Sequence, residues 1–288
     1  MFTVRATQVL GPDLTRLDIE APDLARAALP GQFLMLRVDE RGERIPLTIA
    51  DSDAAAGTVT IIFLAVGKTT QRLSQLRAGD AIRDVAGPLG HHMEIERIGT
   101  VACVGGGVGV PALYPKARAL KKAGNRVVSI IGARTAELLV LLDEMSAISD
   151  EVRITTDDGS RGRKGFVSDE LGDMLKDDAS RPDLVVAVGP IPMMAAVAET
   201  SRPYGVKTLV SLNPIMVDGT GMCGGCRVTV GGKTRFACVD GPVFDGHQVD
   251  FRELAQRQKR FIPQEQRSKE EFAHACRLKA APAAPADA

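Results

Sequence analysis

The sequence contains no tryptophan and only two tyrosines, and its 36 Lys and Arg residues are balanced by 36 Asp and Glu residues. Without aromatic stacking platforms or a basic excess, nothing in the composition indicates binding to nucleic acid or to an anionic membrane surface. The apolar runs also stay well short of the roughly 18 residues that a membrane-spanning helix requires. We therefore expect neither a nucleic-acid-binding protein nor a membrane protein.

A secretory signal is missing as well. The first 20 residues alternate apolar and polar side chains from the start, which is typical of a strand. A signal peptide would instead show a charged segment followed by an apolar one. We therefore expect a cytoplasmic location, where clustered cysteines are more often metal ligands than disulfide partners.

Two patterns of secondary structure follow one another along the 288 residues. Up to about residue 95, short β-prone runs between Gly, Pro and Asp predict an antiparallel barrel with one helix over TTQRLSQL. From residue 99, strands alternate with helices, one of them over ELLVLLDEM, which predicts a parallel sheet with right-handed crossovers. We expect a β-barrel domain over 1–96, an α/β domain over 97–212, a small cysteine-bearing segment over 213–265 and a partly disordered tail over 266–288.

A glycine-rich turn joins the first predicted strand of the α/β domain to its helix. Gly105-Gly106-Gly107-Val108-Gly109 would let the backbone approach a pyrophosphate at a helix N-terminus. Val110 occupies a position that the G-x-G-x-x-G pattern gives to Gly or Ala, so a turn that binds nothing is the alternative. Gly189 and Pro190 end a later strand of the same predicted sheet, where such sheets bind ligands. Asp158 is a candidate for holding a ribose.

The choice between NAD and NADP stays open at this point. Arg134, at the end of the second strand of the α/β domain, would suit the 2′-phosphate of NADP, whereas Asp158 would suit a free ribose hydroxyl.

The barrel contains two polar motifs. Arg44-Ile45-Pro46-Leu47-Thr48 places a cation and a hydroxyl around a rigid proline, and Gly67-Lys68-Thr69-Thr70 stands at the start of the predicted helix. Hydroxyls and N–H groups at a helix start are suited to phosphate. The alternative is an ordinary edge strand followed by a helix cap.

Three of the five cysteines lie within 16 residues of one another, in the order Asp218-x4-Cys223-x2-Cys226-x11-Cys238. Plant-type two-iron clusters use C-x4-C-x2-C and a distant fourth cysteine, so the spacing favours a [2Fe-2S] cluster with aspartate in the first position. A structural zinc on the same four donors, or Asp218 as a simple turn residue, are the alternatives. We expect Cys103, in a predicted buried strand, to fill core volume.

The order of these motifs resembles the ferredoxin–NADP reductase superfamily over about residues 1 to 265. The resemblance implies FAD in the barrel, with Arg44 near its pyrophosphate and Thr48, the candidate catalytic residue, near the reactive flavin nitrogen. It implies that the nicotinamide nucleotide, NAD(H) or NADP(H), binds at the glycine turn, at Asp158 and at the Gly189–Pro190 strand end. The other implied FAD contacts are Ile45, Pro46, Leu47, Ile62, Phe63, Leu64, Gly67, Thr69 and Thr70.

The cysteine segment is similar to a narrower group. DGTGMCGGCRV and FACVDGPVFDGH resemble the alpha subunit of NADH-dependent ferredoxin–NADP oxidoreductase and the beta subunit of sulfide dehydrogenase, in which aspartate replaces the missing cysteine. The dihydroorotate dehydrogenase electron-transfer subunit is similar too, but it normally has four cysteines.

This resemblance implies an electron-transfer flavoprotein subunit. It would exchange hydride between NAD(P)H and FAD and pass single electrons through the cluster to or from a larger iron–sulfur flavoprotein subunit in a heterodimer. Ferredoxin is a further candidate partner, and electron bifurcation a candidate activity. The alternatives are a dihydroorotate dehydrogenase electron-transfer subunit and a zinc-stapled nucleotide-binding protein without a redox role.

Overall fold

The computed structural model describes residues 1–280 of the chain, with side chains described to residue 274. The first part is built from antiparallel strands in two sheets, ordered β5-β6-β2-β1-β7 and β4-β3-β8. Its elements are β1 (Phe2–Gly11), β2 (Leu14–Glu20), α1 (Pro22–Ala27), β3 (Phe33–Arg37), β4 (Ile45–Thr48), β5 (Asp51–Asp53), β6 (Thr58–Leu64), α2 (Lys68–Leu73), β7 (Ala81–Ile82) and β8 (Asp84–Leu89).

The alternation of apolar and polar side chains explains why this part of the chain forms antiparallel β-strands around a core. In β2 and β6, every second residue points inward, so that Leu17 and Ile19 meet Val59 and Ile61 in a core from which water is excluded. Leu34, from the other sheet, belongs to the same core. The predicted antiparallel β architecture is therefore confirmed.

The second part is an α/β unit. Its elements are β9 (Thr100–Gly106), α3 (Val110–Lys122), β10 (Arg126–Ala133), α4 (Leu142–Ile148), β11 (Glu151–Thr156), β12 (Arg163–Lys164), α5 (Val167–Lys176), β13 (Leu184–Val188), α6 (Ile191–Ser201) and β14 (Lys207–Ser211). The strands β12-β11-β10-β9-β13-β14 are parallel neighbours in that order. β13 is buried along its whole length, as expected of a strand covered on both faces. Cys103 in β9 is fully buried, as predicted.

The predicted helix over residues 137–145 is wrong. Ala136–Leu138 forms a short 3₁₀ turn, and α4 begins only at Leu142. Leu141 has a φ of 54°, a left-handed conformation that a continuous helix does not contain. The apolar run from Leu139 to Leu142 packs against the core beside α3 as an irregular strap, so its hydrophobicity reflects that contact rather than a helix face.

The cysteine-bearing segment continues from β14 and returns to it. Its elements are β15 (Arg227–Val230), β16 (Lys233–Phe236), β17 (Val243–Asp245), α7 (Phe251–Gln258) and α8 (Ile262–Ala280), with a 3₁₀ turn over Lys259–Phe261. β15 and β16 form the predicted hairpin. β17 pairs antiparallel with β14, which fixes the segment to the edge of the parallel sheet.

The final helix, α8, packs against α2 of the barrel and includes the first part of the predicted tail. The rest of that tail, residues 281–288, lies outside the described residues. Among the described helices, none is long and apolar enough to cross a membrane.

Candidate functional site

A cleft of about 750 Å³ lies where the three parts of the chain meet. The barrel, the parallel sheet and the cysteine-bearing segment each contribute to its walls. Its lining is mostly apolar. The lining includes Phe33, Pro46, Leu47, Thr48, Val108, Gly109, Ala112, Gly189, Pro190, Ile191, Pro192, Asn213, Met216, Pro242, Gln258, Lys259 and Ile262.

The glycine turn forms one wall. A Cβ atom on Gly109 would lie 2.1 Å from the carbonyl oxygen of Val188, so the turn approaches the end of β13 more closely than any side chain allows. Gly107 has a φ of +51°, and a Cβ atom there would meet nothing within 4 Å. Gly109 is therefore required by packing, whereas Gly107 leaves open space beside the turn.

Two helices begin at this wall. α3 starts directly after the glycine turn and α6 starts after Pro190, so both present their N-terminal ends to the cleft. Helix N-termini carry free N–H groups and a partial positive charge, which favour anions such as a pyrophosphate. The structure thus places Val108, Gly109, Gly189 and Pro190 on one surface.

The barrel forms the opposite wall through β4. Thr48 pairs in register with Phe33 of β3, and both line the cleft together with Pro46 and Leu47. A hydroxyl on an otherwise apolar wall can orient one polar edge of a planar ring system.

The other residues expected to contact FAD lie outside the lining of this cleft, and their contact with FAD stays a prediction. The aromatic ring of Phe63 is buried in the barrel core. The hydroxyl of Thr69 donates to Glu43 at 3.3 Å, and that of Thr70 accepts from the backbone N–H of Gly67 at 3.0 Å. The predicted contacts outside the cleft lining are Arg44, Ile45, Ile62, Phe63, Leu64, Gly67, Thr69 and Thr70.

Asp158 follows β11 and also lies outside the cleft lining. One carboxylate oxygen accepts from the hydroxyl and the backbone N–H of Ser160, at 2.6 and 2.9 Å, and these bonds lower the pKa of Asp158. The hydroxyl of Ser160 accepts from the N–H of Ala136, just beyond β10. The exposed carboxylate therefore stands beside the carboxyl ends of two neighbouring strands.

In the cysteine loop, two thiols are buried as a pair. The sulfur atoms of Cys226 and Cys238 are 3.2 Å apart, because the hairpin brings Ala237 N–H to the carbonyl of Cys226 at 3.2 Å. Burial, with a contribution from Cys226, raises the pKa of Cys238 to about 12. A bound metal would displace these protons, since coordinating thiols are deprotonated.

The other two donors lie further out. The carboxylate of Asp218 accepts from the N–H groups of Thr220 at 2.9 Å and Cys223 at 2.8 Å, and the bond from Thr220, then that from Cys223, lowers its pKa to about 2. Asp218 therefore does act as a turn residue. An ionised carboxylate that accepts two bonds still has free lone pairs, so the turn role and a ligand role are compatible. Cys223 is exposed.

The geometry of the buried thiol pair can be compared with that of a metal centre. Two sulfurs on one tetrahedral metal stand about 3.8 Å apart when each metal–sulfur bond is about 2.3 Å, so the 3.2 Å between Cys226 and Cys238 would need only a small outward shift to hold one metal. Within the described residues, no three or more His, Cys, Asp or Glu side chains surround a single point. Cys226 and Cys238 thus form one buried candidate ligand pair, and Asp218 with the exposed Cys223 forms a second candidate pair in the same loop.

The cysteine loop and the cleft are neighbours. Met216 lines the cleft two residues before Asp218, and Pro242 lines it four residues after Cys238. A Cβ atom on Gly219 would lie 2.8 Å from the side chain of Met35, so the loop also packs against β3. The loop therefore lies directly behind one wall of the cleft.

Sequence reasoning missed the residues that the C-terminal part contributes. Gln258, Lys259 and Ile262 line the cleft, and Gln258 donates to the carbonyl of Asn213 at 2.6 Å. No local pattern marks them, because their position depends on how the chain returns after the hairpin.

Comparison with known proteins agrees with this geometry. A family model for the iron-sulfur cluster binding domain of dihydroorotate dehydrogenase B matches residues 213–250. A Thermotoga maritima protein named as a homolog of the electron transfer subunit of dihydroorotate dehydrogenase B (NAD(+)) is 50% identical over 254 residues, covering 88% of this chain and 89% of that protein.

Two further similarities span most of the chain. The electron transfer subunit of dihydroorotate dehydrogenase B (NAD(+)) from Geobacillus thermodenitrificans is 35% identical over 257 residues, covering 86% of this chain and 97% of the relative. A solved structure of NADH-dependent reduced ferredoxin-NADP oxidoreductase, described in connection with flavin-based electron bifurcation, matches with a TM-score of 0.89 and 47% identity. It covers 95% of this chain and 98% of the matched chain.

Proposed function

Because the chain belongs to the family of dihydroorotate dehydrogenase B electron transfer subunits and their homologues, we propose that it carries electrons between a nicotinamide nucleotide and a partner subunit. It is an oxidoreductase subunit of the electron-transfer flavoprotein type with an iron–sulfur segment. The barrel and the cysteine loop would hold FAD and a [2Fe-2S] cluster, which would supply hydride acceptance and single-electron transfer.

One observation supports this proposal most strongly: the cysteine loop lies behind a wall of the same cleft that Thr48 and the glycine turn line from opposite sides. A flavin against the barrel wall would then face a nucleotide on the sheet wall and have the cluster next to it. Groups held side by side around one cleft can react without a diffusional encounter.

The chain's own residues would hold the groups as follows. The Thr48 hydroxyl would hydrogen-bond one edge of the flavin, and the turn around Gly107 would receive the nucleotide's pyrophosphate. Cys226 and Cys238 would bind one iron. Asp218 and Cys223 would bind the other.

The surface around the outer pair supports a protein partner. Val217, Met222 and Val239 are exposed apolar side chains of the loop, with 89% of Met222 accessible. Arg227 and Arg257 line a small cleft beside Cys223. An apolar centre with a basic rim is typical of a protein interface, so we expect the larger subunit to present an apolar patch with acidic residues around it.

Two complexes are candidates for this partnership. The solved relative is an NADH-dependent reduced ferredoxin-NADP oxidoreductase. The resemblance of DGTGMCGGCRV to the alpha subunit of such an enzyme, with aspartate in the first ligand position, favours a complex of that kind. The matched iron–sulfur family model and the relatives' names favour a dihydroorotate dehydrogenase as the second candidate. The names of the relatives mention NAD(+) or NADH, which makes NADH the first nucleotide to test.

The test is an anaerobic titration of the purified holoprotein with NADH. We expect flavin absorption to fall first and the paramagnetic signal of a reduced two-iron cluster to follow. Adding each candidate partner subunit then identifies the acceptor by re-oxidation of the cluster. A colourless protein with bound zinc, or a flavin that NADH leaves oxidised, would contradict the proposal.

A further inference from the structure

Lys259 is the one charged residue among the described residues that line the cleft. It lies in the 3₁₀ turn between α7 and α8, and its side chain is exposed at the cleft mouth. Among the side chains up to residue 274, no Asp or Glu lines the cleft. Among the described side chains, none of the carboxylates forms an ion pair with Lys259.

The 3₁₀ turn that carries Lys259 is held in place by its neighbours. Gln258 donates to the carbonyl of Asn213, just beyond β14, and Ile262 lines the cleft on the other side of the turn. A lysine that is held at the rim of an apolar cleft, without a carboxylate to neutralise it, attracts anions to that cleft.

Other parts of the cleft add to the positive electrostatic potential that Lys259 creates. The N-terminal ends of α3 and α6 face its interior, so the partial positive charges of two helices and the full charge of one lysine act on the same volume. In the FAD-loaded protein, the anions that enter the cleft from solution would be the phosphates of the nucleotide.

We propose that Lys259 binds a phosphate of the nicotinamide nucleotide at the cleft mouth and so sets the affinity for the nucleotide. This proposal rests on the proposed function. The ammonium group would donate a charge-assisted hydrogen bond to a phosphate oxygen, while the glycine turn would receive the rest of the pyrophosphate through backbone N–H groups.

The test compares Lys259→Met, which keeps the stem and removes the charge, with Lys259→Arg, which keeps the charge. Isothermal titration calorimetry on the flavin-loaded protein would measure Kd for ADP-ribose, which has the pyrophosphate but not the nicotinamide, at two salt concentrations. The matched control is Lys122→Met, because Lys122 is exposed at the far end of α3 and does not line the cleft.

We expect Lys259→Met to raise the Kd for ADP-ribose about 10- to 100-fold and to weaken its salt dependence. Lys259→Arg should stay close to the wild-type value, and Lys122→Met should match it. Wild-type affinity in Lys259→Met would overturn the proposal. An unchanged Kd for ADP-ribose together with a shifted reduction potential of the flavin would also overturn it, because Lys259 would then act on the flavin and not on the nucleotide. If the wild-type protein bound no nucleotide at all, the proposed function itself would fail, and this inference with it.

Discussion

The cysteine loop and the cleft differ in how their residues come together. In the loop, the four candidate donors lie within 21 residues of sequence, and a two-stranded hairpin returns the last of them to the others. In the cleft, Thr48, Gly109, Gly189 and Lys259 come from four distant segments. A site formed by one local segment can be recognised from spacing, whereas a site formed between domains depends on the packing of those domains.

The largest effect is expected at the buried thiol pair. Cys226→Ser should abolish the iron–sulfur cluster while leaving FAD bound, because the loop and the cleft share a wall but not their donor atoms. Iron, acid-labile sulfide and flavin per chain measure this. The matched control is Cys103→Ala, which removes a buried thiol from β9 and should retain the cluster. Equal iron content in Cys226→Ser and wild type would show that the pair is not a ligand set.

In the glycine turn beside the cleft, alanine substitutions at two glycines should have different effects on stability and on nucleotide binding. Gly109→Ala should lower the free energy of unfolding by about 3 kcal/mol, because its Cβ atom would meet the Val188 carbonyl at 2.1 Å. Gly107→Ala should lower it by only about 1 kcal/mol, the penalty of a left-handed alanine, but should weaken nucleotide binding by filling open space. Urea unfolding and nucleotide titration separate the two effects. Similar losses of stability would contradict this distinction.

The helix that follows the turn contains a buried charge. Lys116 is fully buried and donates to the carbonyl of Ala112 at 2.8 Å, and burial lowers its pKa to about 8. The folded state therefore binds fewer protons than the unfolded state between pH 8 and about 10.5, so stability rises with pH over this window.

Removing that charge should stabilise the protein. We expect Lys116→Met to raise the free energy of unfolding by about 2–3 kcal/mol near pH 7, and to flatten its rise between pH 8 and 10. Lys122→Met, an exposed change on the same helix, should leave the pH dependence as it is. A Lys116→Met protein with the wild-type pH dependence would mean that the buried amine is not the titrating group.

The smallest effect is expected at the barrel wall. Thr48→Val keeps the shape of the side chain and removes its hydroxyl, so FAD should remain bound while NADH reduces it about tenfold more slowly. Thr48→Ser, which retains the hydroxyl, should be close to wild type. Stopped-flow flavin reduction measures both, and equal rates in Thr48→Val and wild type would remove Thr48 from the reaction.

The sequence predicted both the antiparallel and the parallel part correctly. Alternating apolar residues are typical of antiparallel strands with one buried face, and continuous apolar runs are typical of parallel strands buried on both faces. The prediction failed at residues 137–145, where an apolar run covers a neighbouring helix as an irregular strap. Phe63 was expected beside the flavin, but in β6 it points to the same side as Ile61, into the barrel core. The face of a strand on which a single side chain lies depends on the strand register. The pattern of apolar residues alone does not specify that register.

The sequence likewise predicted some parts of the candidate site and not others. Spacing identified the cysteine loop, and residue types identified the glycine turn. Lys259 could not be found in this way, because its place at the cleft is set by the connection from β17 through α7, and by the hydrogen bond from Gln258 to Asn213.

The most direct test of the central claim is electron paramagnetic resonance of the reduced, anaerobically purified protein, with Asp218→Cys as the variant and Asp240→Asn as the carboxylate control. Asp240 accepts from the N–H of Phe236 in the same segment but is not among the four donors. We predict two irons per chain in all three proteins, with a changed spectrum in Asp218→Cys only. A spectrum identical to wild type in Asp218→Cys, or a wild-type protein without iron, would contradict the assignment of Asp218 and three cysteines to a two-iron cluster.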